Sequence, residues 1–146
     1  MNHRFLLLVS MALLISACAL PRAPDTGAVP EPMTSGSQQI DQLITQAREL
    51  RDRGSYHRAQ STLEQGLRID SRNALLWYEM ASLRLDQGMN DSAEDSAQRA
   101  IRFSRENQRV AIQSWLLIAE ARKRRGDEAG AGQAMEQART LSREQK

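Results

Sequence analysis

The chain has 146 residues, room for about one ordinary domain. Its 20 lysines and arginines against 18 aspartates and glutamates leave a net charge of +2. The two signs are interleaved rather than gathered into a stripe, which speaks against a nucleic-acid partner.

The chain opens with a short polar start, His3 and Arg4, followed by an apolar segment over 5–15 broken only by Ser10. As a helix this segment would span ~16 Å, about half the ~30 Å hydrocarbon core. It is too short for a stable membrane span and matches a signal-peptide core, which predicts a signal peptide over 1–17. The next residues, Ile15-Ser16-Ala17-Cys18, resemble the bacterial lipobox, in which a branched apolar residue and two small ones precede a cysteine that becomes the mature N-terminus. Cys18 is the sole cysteine, so it has no partner for an internal disulfide. The resemblance implies a thioether diacylglyceryl group and an acylated amine (palmitate-type chains) on Cys18, and no other cofactor is expected. At ~0.8 kcal/mol per buried methylene, three such chains anchor far more firmly than one. Ala19, rather than an aspartate, follows the cysteine, which resembles the signal for transfer to the outer membrane, facing the periplasm. The alternative is ordinary cleavage near Ala17, with Cys18 a chance residue.

Pro21, Pro24, Pro30 and Pro32 are the only prolines, and the stretch 18–38 is otherwise rich in glycine and small polar residues. It has too little apolar surface for a core and reads as a disordered tether stiffened toward polyproline II, reaching at most ~60 Å. From 33 onward the chain is proline-free and rich in Ala, Leu, Gln, Arg and Glu, which predicts an all-helical body over 39–143.

Within that body a pattern recurs three times. Gly54, Gly88 and Gly126 each close a helical stretch, each with an alanine seven residues before (Ala47, Ala81, Ala119) and five after (Ala59, Ala93, Ala131). The spacings predict helices over 39–53, 56–69, 73–87, 91–104, about 107–125 and 127–142, with Ser55 capping the second. Later core positions in the second helix of each pair are Leu63, Ala97 and Met135, then Gly66, Ala100 and Ala138. Small residues permit a close crossing within each pair, and Leu43, Trp77 and Trp115 supply bulk beside it. Four extra residues, about one helical turn, separate the second and third units, within 103–111.

This register resembles the tetratricopeptide repeat, a pair of antiparallel helices with glycine at the turn. The resemblance implies a right-handed α-solenoid of three helix pairs, over 40–73, 74–107 and 112–143. Two departures stand out. The family's proline near the end of the second helix is replaced by Ser71, Arg105 and Ser142, and its aromatic late in the first by Leu50, Arg84 and Arg122.

In the family the first helix of each pair lines a concave face that holds a protein or peptide. Carried onto this chain, that face includes Arg48, Leu75, Tyr78, Ser82, Leu85, Leu116, Glu120 and Lys123. It suits an apolar peptide segment or partner helix with charged ends. Leu75 and Leu116 are equally suited to packing between neighbouring helices. The run 122–125 reads either as cations at a helix C-terminus or as a contact for an anionic partner or lipid headgroup. His57 has no cluster around it, so neither a metal site nor a catalytic arrangement is predicted, and the chain reads as a non-enzyme. The expectation is a membrane-anchored periplasmic scaffold, akin in architecture to pilotin lipoproteins of type IV pilus assembly or to adaptors of cell-wall enzymes. The alternative is a self-associating, dimeric envelope lipoprotein.

Overall fold

The computed structural model describes residues 32–105 and 107–144. The segment expected as a signal peptide, Cys18 and most of the proline-rich stretch fall outside these residues. Six helices follow in chain order: α1 (Gln38–Asp52), α2 (Tyr56–Ile69), α3 (Ala74–Asp86), α4 (Asn90–Ser104), α5 (Gln108–Arg124) and α6 (Glu128–Arg143). All six predicted helices are present, with ends shifted by a residue or two. None of the described helices is long and apolar enough to cross a membrane.

The helices pair as α1–α2, α3–α4 and α5–α6. Each first helix then packs on both helices of the preceding pair, α3 on α1 and α2, and α5 on α3 and α4. The hinge within each pair is the same at all three places. At the second, Gly88 N–H donates to the Leu85 carbonyl (3.0 Å) and Met89 N–H to the Arg84 carbonyl (2.9 Å). Gly54–Ser55 and Gly126–Asp127 repeat this with bonds of 2.8–3.0 Å. This is a Schellman closure, and it places the glycine in the left-handed region, at φ of 72°, 74° and 81° for Gly54, Gly88 and Gly126. A Cβ there would meet nothing within 4 Å, so backbone conformation and not space demands glycine. Ser55 is the N-cap of α2, but its hydroxyl makes no capping bond there. Asn73, Asn107 and Asp127 do cap, accepting from Leu76, Val110 and Gly130 N–H.

The alanines of the recurring pattern are buried at all six positions. Around them the core changes character along the chain. Ile40, Ile44, Leu50, Leu63, Leu75, Leu76, Met80 and Leu83 fill the first half with large aliphatics. Ala81, Ala97, Ala119 and Ala134 around Ile118 fill the second. Gly66 lies against Leu76, which a Cβ would approach to 2.7 Å; Ala100, Gly66's counterpart in α4, shares a core cluster with Val110 of α5. Met135, expected beside Leu63 and Ala97 in this core, is instead 39% exposed. Trp77 and Trp115 are half-buried; the Trp77 indole donates to the Ser71 carbonyl (2.8 Å) and carries the Arg99 guanidinium over its ring.

The four extra residues lie where the spacing places them. α5 has 17 residues where α3 has 13, and begins correspondingly further ahead of its glycine, so the insertion is one added turn at its N-terminus. A further difference is at the start of the domain. Met33 packs against the core and Ser35 N–H donates to Asp41 Oδ1 (2.7 Å), so 33–37, expected as tether, is already fastened to α1.

Replacing Gly88 by alanine should cost about 1–2 kcal/mol of stability, the price of a left-handed L-residue. Gly132 lies within α6 at an ordinary helical φ with nothing within 4 Å of a new Cβ. Alanine there should stabilise by roughly 0.5–1 kcal/mol. Urea unfolding midpoints for the two variants should therefore move in opposite directions.

Candidate functional site

The face expected to bind a partner is carried by the first helices α1, α3 and α5. Their 3.6-residue period brings Arg48 and Arg51 of α1 toward α3, where a carboxylate that the sequence pattern did not single out receives them. Glu79 is buried. Its Oε1 accepts from Arg48 Nε (3.0 Å) and Nη2 (2.6 Å), and its Oε2 from Arg51 Nη1 (3.4 Å). Arg51 also donates to the Ser82 hydroxyl (2.9 Å) and pairs with Asp86 (3.4 Å). The hydrogen bond to Glu79 raises the Arg48 pKa further above its ordinary value, so the guanidinium stays charged. Tyr78 is half-buried; burial first, then the Glu79 charge, raises its phenol above the usual value and keeps it a neutral donor.

A second clamp of the same kind joins α4 to α5. Glu94, also buried, accepts from Arg122 Nε (2.9 Å) and Nη2 (2.6 Å) through Oε1, and from Arg125 Nη2 (2.6 Å) through Oε2. Arg125 further pairs with Asp91. Arg124 pairs with Glu120 (2.8 Å) and donates to the Leu85 carbonyl (2.8 Å). Arg122, Arg124 and Arg125 are thus each engaged in ion pairs within the fold, a role that the sequence reading of the run did not include, while Lys123 is exposed. Arg84 and Arg122, which stand where the family has an aromatic, have a shared task. Each donates to a carbonyl eight residues on, Ser92 and Gly130, at 3.2 Å, and so ties its helix to the next across the turn.

The expected groove residues separate accordingly. Arg48 and Ser82 are occupied between α1 and α3. Leu75 (2% exposed) and Leu85 (5%) are core residues and offer nothing to a partner, because α3 is sandwiched between neighbours on more than one side. Leu116 is 41% exposed, Lys123 is exposed and Glu120 is half-buried. Pairing partners 28 and 31 residues away, such as Glu94 for Arg122 and Glu79 for Arg48, leave no local signal; only the recurrence of arginine beside the turns hinted at them. His57 is exposed on α2, and no group of three or more His, Cys, Asp or Glu among the described residues is arranged to hold a metal.

A solved structure, the globular C-terminal domain of P. aeruginosa LpoP, matches this arrangement at a TM-score of 0.68 with 31% sequence identity, covering 70% of this chain and 97% of that one. The chain belongs to the LpoP family. The solved LpoP chain is the globular domain alone, and the corresponding body here, 32–146, is likewise a compact unit with its own core. No protein-family model matches the chain, and no curated protein matches it by sequence. Its likeness to tetratricopeptide repeats therefore rests on the register and packing of the three helix pairs.

Glu79→Gln should destabilise the domain by about 1–3 kcal/mol, since two partly desolvated arginines lose their common carboxylate. Glu136→Gln, in an exposed pair with Arg139 and Arg143, should cost less than about 0.5 kcal/mol. In a Tyr56→Phe background, the ultraviolet titration of Tyr78 should have its midpoint above about 10. The stability contributed by this neutral phenol is present below the unfolded value and is lost as pH rises through the higher folded one.

Proposed function

We propose that this protein is a lipid-anchored adaptor of the bacterial envelope, held at the periplasmic side of the outer membrane by Cys18, which engages a cell-wall enzyme of the peptidoglycan synthase class through its helical body. The observation that carries the reading is the kinship with LpoP over nearly the whole of its globular domain. Of the two envelope settings that the sequence leaves open, pilus or secretion assembly and the cell wall, this kinship favours the second. The lipobox-like run ending in Cys18, followed by a proline-rich stretch ahead of a domain whose first helix begins at Gln38, supports an anchored protein with its body held off the membrane.

The role proposed is binding, not catalysis. The charged groups best placed for chemistry, Glu79 and Glu94, are each saturated by two arginines and hold helices together. Exposed apolar side chains on the described surface, Leu116 and Met135 among them, suit contact with protein.

Two measurements test the reading. Cys18→Ser should move the protein from the membrane to the soluble periplasmic fraction; continued membrane fractionation would sink the anchor. Immobilised 32–146 should retain a purified peptidoglycan synthase from the same organism, and crosslinking of the native protein in its membrane should yield the same pair. Failure to retain the synthase, with pilus or secretion components crosslinked instead, would move the adaptor to the other setting.

A further inference from the structure

The three pairs are related position by position, by 34 residues from the first to the second and 38 from the second to the third, so each site in one pair has a known counterpart in the next. Two series are informative. In the first helices, Ile44, Tyr78 and Leu116 correspond; they are buried, half-buried and 41% exposed in that order. In the second helices, Leu63, Ala97 and Met135 correspond; the first two are buried and the third is 39% exposed. What covers Ile44, Leu63 and Ala97 is visible, and Tyr78 packs against the first of the core clusters. α3 lays Leu76, Met80 and Leu83 into one core cluster with Ile44 and Leu63, and α5 brings Ile118 against Ala97. Among the described residues no helix stands in that relation to α5 and α6, and Leu116 and Met135 are open for that reason.

We infer that the outward face of α5 and α6 is a docking surface for one amphipathic helix of a partner protein, which takes the place that α3 has on the first pair and α5 has on the second. The inference rests on the adaptor reading and deepens it by naming the surface and the chemistry of the partner. The incoming helix should present apolar residues at i, i+4 and i+7, as α3 does with Leu76, Met80 and Leu83. At i+3 α3 carries Glu79, which meets Arg48 and Arg51. The counterparts of those arginines on α5 are Glu120, already paired with Arg124, and the exposed Lys123. An acidic residue at i+3 of the partner would therefore find Lys123. A second copy of this chain is a poor occupant. Its one segment with this pattern, in α3, is buried in the fold, and the outer face of α1, with Gln42, Thr45, Gln46 and Glu49, is polar.

The test uses the 32–146 domain. Leu116→Glu with Met135→Glu places two charges on exposed positions, so far-ultraviolet circular dichroism should be unchanged, while retention of the peptidoglycan synthase should weaken about tenfold or more. Gln42→Glu with Gln46→Glu, on the opposite end of the array, should leave retention unaltered. Synthase retained by the native domain and equally by the Leu116/Met135 variant would overturn the docking surface and leave the adaptor reading standing. Failure of the native domain to retain it would count against the adaptor reading instead.

A second measurement needs no client. The domain is extended at its C terminus by another copy of residues 105–125, the loop and helix that cover the second pair. The Met135 methyl resonance should shift and become protected from a soluble paramagnetic agent, and the urea midpoint should rise. An unmoved, equally accessible Met135 methyl would overturn the inference. So would light scattering that shows a dimer of the native domain which the Leu116/Met135 variant dissolves, because a second copy would then be the occupant.

Discussion

Each helix pair in this protein can bury only the surface between its own two helices. The apolar residues on its outward side stay in water until another helix is laid over both members at once. That constraint organises the rest. α3 covers α1 and α2, and α5 covers α3 and α4, so α3, with neighbours on both sides, is the most enclosed element. It also explains why α3 is apolar nearly all round, with Leu75, Leu76, Met80, Leu83 and Leu85 all buried, while α2 and α4 are amphipathic.

Covering one pair with the next also brings polar groups out of water, and the structure handles this with two buried carboxylates. Glu79 and Glu94 each accept from two arginines of a neighbouring pair, one clamp at each junction. An ion pair of this kind adds modest net stability but strongly penalises a mispacked junction, in which a charge would be left unmatched. The clamps therefore define the register of pair on pair more than they deepen the core. This matters most at the second junction, where the apolar contribution comes largely from alanines. There Arg122 serves two roles at once, pairing with Glu94 and bonding the Gly130 carbonyl.

Much of this was legible in the sequence because the deciding interactions are local. Helical period and the glycine turns act within five residues, and the structure reproduces the turns at Gly54, Gly88 and Gly126 alike. The small-residue positions could be read for the same reason: a recurring alanine at fixed distance from a turn faces its own partner helix in every pair. The insertion between the second and third units was visible as a change of spacing, and folded as the most economical solution, one more turn of α5.

The sequence alone thus determined six helices, their pairing and the three closures. Tertiary structure decided which equivalent residues are core and which are surface. Leu85 falls in the core, contrary to its expected place in a groove, Leu75 falls there by the packing alternative, and Met135 falls outside it. Ile44, Tyr78 and Leu116 occupy one position of the pattern and differ in exposure with their place in the stack. The cations at 122–125 likewise read as free until α4 brings Asp91 and Glu94 to Arg125 and Arg122. In both cases the cause lies some thirty residues away along the chain, in whether and where the next helix lands, and local periodicity carries no record of that.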